Sequence, residues 1–225
     1  MEGRPEGRAE ERPVEIVTDR VGLKGILGLP AQPKGIVIFA HGSGSGRFSP
    51  RNNFVARVLQ DGGIATLLLD LLTEAESQDR RLVFDIDLLA DRLLAATQWV
   101  REQPETRELP IGYFGASTGA AAAIIAAAQK GNSISAVVSR GGRPDLARPY
   151  LPHVVAPTLL IVGGYDEPVL SLNREAYNLM RANKELIIVP RATHLFEEPG
   201  ALEEVARLAR DWFLNNLPRA YQRAA

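Results

Sequence analysis

The chain has 225 residues, 45% of them apolar, and its 26 basic and 27 acidic side chains leave a net charge of −1. That is enough apolar material for one substantial core, and a single α/β domain commonly reaches this size. Scattered basic residues exclude the footprint of a nucleic-acid binder, and the absence of cysteine excludes disulfides, thiolate metal ligands and a cysteine nucleophile.

The first segment, "MEGRPEGRAEER", is charged and lacks the apolar core of a signal peptide, so residues 1–12 are expected to be a disordered lead-in. No later apolar run is long enough to span a bilayer, which predicts a cytoplasmic protein without a membrane partner. Two β-type runs, "VEIVTD" and "LKGILGLP", bracket a turn and predict an antiparallel hairpin. "GIVIFA" is continuously apolar and β-branched, as suits a strand covered on both faces. A glycine-serine loop follows, and Ser49-Pro50 predicts a helix start; the helix runs to about Gln60 and "DGG" stops it.

The strand "IATLLLD" comes next, then a polar loop, then "LVFDIDLLADRLLAATQWVREQ", whose apolar spacing predicts one long amphipathic helix. The alternation continues through strand "IGYFGA", an alanine-rich helix, strand "ISAVVSR", a short "RPDLARPYL" piece and strand "PTLLIVGGYD". It closes with a helix over 171–183, strand "ELIIVP", a His-bearing loop and the helix "ALEEVARLARDWFLNNL". Strand and helix alternate without a linker, which predicts one α/β domain over 13–218 followed by a tail over 219–225. Its sheet is mostly parallel, with helices on both faces. Between "VVSR" and "PTLLIV" there is no room for a lid domain, so the site is expected to be open and shallow.

In open α/β sheets, sites form past the carboxyl ends of strands. The polar residues there are His41-Gly42-Ser43-Gly44, Ser117 within Gly115-Ala116-Ser117-Thr118-Gly119, Asp166 after Gly163-Gly164-Tyr165, and Thr193-His194. A serine hydroxyl is a weak nucleophile until a base takes its proton, and a neutral imidazole oriented by a carboxylate is such a base. The Gly-x-Ser-x-Gly spacing lets the serine stand on a sharp bend between strand and helix, with small neighbours clearing space. Ser117 is therefore the candidate nucleophile and His194 the base. Asp166 is the favoured acid, in competition with Glu167, Asp145 and Asp70. Thr118 N–H at the helix start is one candidate oxyanion donor, and the first loop offers Ser43 N–H, with Gly42 as alternative.

The segments "HGSGSG", "GASTG", "GGYDEPV" and "RATHLFEEPGALEEVARLARDWF" resemble the α/β-hydrolase fold and, within it, the dienelactone-hydrolase-like families, over about residues 14–217. The resemblance implies Ser117 as nucleophile, Asp166 as acid and His194 as base. Dienelactone hydrolases themselves use a cysteine, so the dienelactone substrate is not carried over. "HGSGSGRFSPRN" and "SRGGRPDLA" resemble a serine-bearing branch of bacterial hydrolases, some fused to phosphoribosyltransferase domains.

Two of the three histidines have ordinary readings: His41 holds the glycine loop and His153 lies in a surface loop. Trp99 and Trp212 lie on apolar helix faces and read as core. Arg140, Arg143 and Arg47 read first as ion-pair residues. Arg140 at a strand end, Arg47 and Gly42 are the candidates for contacting an anionic substrate. The function expected is a serine hydrolase of small carboxylic esters or lactones, without metal or cofactor, as a monomer or small homo-oligomer. The alternatives are a non-catalytic binding domain on this scaffold, and acyl transfer or thioester cleavage by the same residues.

Overall fold

The computed structural model describes residues 9–18 and 20–221. The hairpin forms from β1 (Glu10–Val17) and β2 (Gly22–Leu29), paired antiparallel. The apolar runs become β3 (Ile36–Ala40), β4 (Ala65–Leu69), β5 (Ile111–Ala116), β6 (Ile134–Arg140), β7 (Thr158–Gly163) and β8 (Lys184–Val189). Together they make an eight-stranded sheet of order β1-β2-β4-β3-β5-β6-β7-β8. β2 meets β4 antiparallel, and every pairing from β4 to β8 is parallel.

Continuous apolar sequence is required because helices cover both faces. Ile36, Ile38 and Ala40 enter one core with Leu89 and Leu93 of α4 (Ile86–Glu102) and the alanines of α5 (Thr118–Lys130). Val37 and Phe39 enter a second core with Val55 and Leu59 of α1 (Pro50–Asp61) and Val205 and Phe213 of α7 (Ala201–Tyr221). Trp212 joins the second core, and Trp99 packs half-buried against the first.

Several boundaries differ from the sequence reading. β1 begins at Glu10, inside the expected lead-in, because Glu10, Glu11 and Arg12 find main-chain partners in Leu29, Gly28 and Leu27. Residues 1–8 lie outside the described residues. The polar loop after β4 holds two short helices, α2 (Glu74–Ser77) and α3 (Arg80–Val83), the first closed by a Thr73–Glu76 capping box. The long amphipathic helix starts only at Ile86, because Asp85 caps it by accepting from Leu88 N–H. α6 (Glu167–Leu179) starts four residues before the expected Ser171, with Pro168 in its first turn. The expected tail divides likewise: α7 continues to Tyr221, and 222–225 lie outside the described residues.

Between β6 and β7 runs only a kinked 3₁₀ stretch, Pro144–His153, packed against α5 and α6. Its His153 is exposed. Among the described residues no helix is long and apolar enough to cross a membrane.

Candidate active site

Ser117 is the first residue after β5 and has φ 51° and ψ −121°. A side chain in that region carries backbone strain on the order of 1–3 kcal/mol, which the surroundings must hold in place. Its N–H donates to Arg140 O at 3.2 Å, and its carbonyl accepts from Ala120 N–H and Arg143 N–H, both at 3.1 Å. The small neighbours are steric requirements. A Cβ at Gly115 would stand 2.4 Å from Ala120 Cα, and one at Gly119 2.2 Å from Ala40 O. The hydroxyl of Ser117 caps nothing in α5, although the residue occupies the N-cap position.

The ends of β7 and β8 supply the acid and the imidazole. His194 Nδ1 lies 2.6 Å from Asp166 Oδ2, the acid 12% exposed and the histidine 38%. Asp166 sits at the N-cap of α6 but makes no capping bond, so its carboxylate is directed at the ring instead. An ionised carboxylate only accepts, so Nδ1 carries the hydrogen and Nε2 keeps its lone pair. The rival acids are engaged elsewhere or point to water. Asp145 accepts from Arg143 at 2.9 and 2.7 Å, Asp70 pairs with Arg47, and Glu167 is exposed.

The imidazole and the serine flank one peptide. Ser117 N–H is held by Arg140 O, and a Cβ on the next residue, Gly141, would lie 3.4 Å from both Cε1 and Nδ1 of His194. No hydrogen bond joins Ser117 Oγ to His194 among the described residues. Bonds of this kind commonly tighten only when substrate is seated.

The glycine loop after β3 lies against the bend: a Cβ on Gly42 would be 3.0 Å from Ser117 Cβ. His41 anchors the loop. Leu71 N–H donates to its Nε2 at 2.9 Å, which leaves Nδ1–H to donate to Gly42 O at 2.8 Å. Burial pushes the imidazole pKa below its usual value of 6.5, against the raising effects of the Gly42 carbonyl and Asp70. Ser43 and Thr118, the expected oxyanion pair, do meet. In this arrangement, however, Ser43 N–H donates to Thr118 Oγ1 at 3.1 Å, so it serves an oxyanion only if the Thr118 side chain turns away.

The arginines divide. Arg47 is paired with Asp70 and lies over the Phe48 ring at 4.2 Å, so its charge is already compensated. Arg140 is buried beside the serine bend, and burial with a like-charged neighbour, Arg51, lowers its pKa to about 10, so it stays charged near neutrality. Arg51 carries no sequence signal of its own; it is brought to the site by the first turn of α1 and pairs with Glu197 at 3.3 Å. A cavity of about 690 Å³ opens at the glycine loop, lined among others by Lys24, Ser43, Arg47, Asp70 and Thr73. Ser117, Asp166 and His194 are not part of its wall, whereas Gly42, which is, lies against Ser117. Among the described residues no cluster of three or more His, Asp or Glu side chains is placed to hold a metal.

A sheet in this order, with its polar residues gathered at the carboxyl ends of the parallel strands, defines the class: the protein is an α/β hydrolase. Within that class the chain belongs to the dienelactone hydrolase family, whose model matches residues 23–215. A solved dienelactone hydrolase from Anabaena variabilis is 56% identical, with a TM-score of 0.91 over 93% of this chain and 99% of that one. Est1E from Butyrivibrio proteoclasticus shares the fold at 17% identity, with a TM-score of 0.78 over 90% of this chain and 98% of its own. A Mycobacterium tuberculosis protein named as a phosphoribosyl transferase is 57% identical over 213 residues, 95% of this chain but 48% of that protein. The chain thus spans about half the length of the curated relatives it matches.

Proposed function

We propose that this hydrolase cleaves small carboxylic esters or lactones through an acyl-enzyme formed on Ser117. The carrying observation is the 2.6 Å contact of His194 Nδ1 with Asp166, beside a serine whose hydroxyl is spent on no structural bond. In the reaction, Ser117 Oγ attacks the carbonyl carbon as Nε2 of His194 takes the hydroxyl proton. Asp166 holds the ring and stabilises the imidazolium. The tetrahedral oxyanion forms beside Thr118 N–H at the start of α5 and the glycine loop. It collapses, the bond to the alcohol oxygen breaks, and the imidazolium returns its proton to that oxygen. Water, losing a proton to His194, then attacks the acyl carbonyl; as the bond to Ser117 Oγ breaks the imidazolium returns that proton to Oγ, freeing the acid and restoring the hydroxyl.

The absence of a lid between β6 and β7 favours short acyl groups. The transferase name belongs to chains about twice as long, and this chain, which matches about half of their length, carries a serine, an imidazole and a carboxylate that suit acyl chemistry. Acyl transfer to another acceptor, or thioester cleavage, uses the same intermediate. The test is stoichiometric labelling by a fluorophosphonate together with turnover of p-nitrophenyl esters. Ser117→Ala should abolish labelling and lower kcat by about 10⁶, the scale for loss of such a nucleophile. A labelled Ser117→Ala protein refutes the assignment. An unlabelled, inactive wild type leaves the scaffold as a binding domain.

A further inference from the structure

One peptide beside the serine bend is held on both sides. The carbonyl of Gly42 accepts from His41 Nδ1–H at 2.8 Å and from Ser45 N–H at 3.2 Å. In a planar trans peptide the N–H points away from the C=O, so fixing the Gly42 carbonyl also fixes the aim of Ser43 N–H. It is aimed at Thr118 Oγ1, 3.1 Å away. The segments that carry the two groups are pressed together. A Cβ on Gly119 would stand 2.2 Å from Ala40 O and 2.4 Å from His41 O, and one on Gly42 3.0 Å from Ser117 Cβ.

A threonine hydroxyl has two acceptor lone pairs and one O–H. Ser43 N–H occupies one lone pair, and among the described residues no acceptor takes the O–H of Thr118, which is 4% exposed. A buried donor with nothing to donate to costs the folded state free energy. Its place gives this O–H a use. Thr118 directly follows Ser117, and its own N–H, the first of α5, has no intrahelical acceptor. An oxygen that accepts from that N–H lies beside the Cβ of the same residue and beside its hydroxyl. The tetrahedral intermediate puts an oxygen there, with a negative charge that the ester carbonyl lacks.

We propose that the Thr118 hydroxyl is itself an oxyanion donor, with Ser43 N–H acting through it: Ser43 N–H donates to Oγ1, and Oγ1–H donates to the substrate oxygen. This rests on the acyl-enzyme reading and deepens it. The hydrogen stays on Oγ1 throughout, and its bond to the substrate strengthens as charge gathers on the oxygen, so the gain falls on the transition state. Accepting from Ser43 polarises the hydroxyl and makes it a better donor. The Thr118 side chain then has no need to turn aside for the reaction.

The test compares wild type, Thr118→Val and Thr118→Ser on p-nitrophenyl butyrate, with active sites counted by fluorophosphonate labelling. Valine keeps the volume and deletes the relay. Its rate per labelled site should fall about 100-fold or more, the scale for one lost oxyanion donor, while KM moves less than about threefold. Thr118→Ser keeps the O–H and should recover activity to within about tenfold of wild type. n-Propyl trifluoromethyl ketone, which adds to Ser117 as a hemiketal oxyanion, should bind Thr118→Val more weakly by the factor lost in kcat/KM. A purely structural role would lower the labelled fraction instead and leave the rate and the ketone affinity per site in place.

A Thr118→Val enzyme within about threefold of wild type per site, or faster because Ser43 N–H is released, overturns the proposal while the acyl-enzyme stands. Equal loss in Thr118→Ser and Thr118→Val overturns it too, since the O–H then carries nothing. If wild type takes the label but not this ester, the ketone affinities decide by the same criteria. A wild type that takes neither refutes the acyl-enzyme reading, and this proposal with it. Should Thr118→Val not fold, Thr118→Cys replaces it: a thiol is a weak donor, and a rate per site within about threefold of wild type counts against the hydroxyl.

Discussion

Replacing Asp166 by Asn tests the acid with almost no change of shape. The carboxylate contacts His194 Nδ1 at 2.6 Å, which puts an aspartate charge and an imidazolium centre about 4 Å apart once the ring is protonated. At an effective dielectric of about 20 that attraction is about 4 kcal/mol. His194 is 38% exposed, so water screens part of it, and about 3 kcal/mol is the working figure. At 1.36 kcal/mol per decade this alone slows acylation about 100-fold. Asn adds a second defect, because its NH₂ can donate to Nδ1 and leave the proton on Nε2, where the ring cannot accept from Ser117. Together the loss in kcat should be about 10³-fold. Asp166 makes no capping bond to α6, so the melting temperature should move little. The assay is steady-state hydrolysis of p-nitrophenyl acetate alongside a thermal melt. A folded Asp166→Asn enzyme within tenfold of wild type would refute the reasoning.

Two further outcomes follow from the glycine loop and the helix behind the serine. His41 is held neutral in the fold with a pKa below 6.5. Its stabilisation is therefore fully present above about pH 6.5 and is lost as pH falls towards the folded value, because the unfolded chain then binds the extra proton. Urea midpoints should drop between pH 7 and 5, with a slope from this residue of at most about 1.4 kcal/mol per pH unit, and the drop should be smaller in His41→Gln. Gly119→Ala opposes two effects. Helix propensity would gain about 1 kcal/mol, whereas the new methyl meets Ala40 O at 2.2 Å and His41 O at 2.4 Å. Overpacking against main chain costs about 1–3 kcal/mol, so the variant should melt lower and lose activity; a higher melting temperature would show that α5 can retreat from the loop freely.

The parallel sheet was legible because its strands are unbroken apolar runs such as "GIVIFA" and "PTLLIV", separated by helices of clear period. The meeting of Asp166 with His194 was legible too, since both are polar residues that follow such runs. What escaped were features decided by tertiary partners. Glu10 to Arg12 read as lead-in because their side chains are polar, yet main-chain pairing with β2 makes them an edge strand, where charged side chains are at home. The start of α4 depended on Asp85 capping rather than on the apolar period that continues through Leu82 and Val83. Arg51 was invisible as a neighbour of Arg140 because nothing local to α1 says which strand end it faces. The engagement of Ser43 N–H by the Thr118 hydroxyl depends on a rotamer, and sequence does not specify rotamers.

The bend at Ser117 has a consequence for durability. A φ of 51° suits glycine better than serine, so the chain would be sturdier with its hydroxyl deleted there. Selection for heat resistance alone would favour glycine at this position, and a thermally hardened descendant carrying it would be a well-folded protein without the proposed nucleophile.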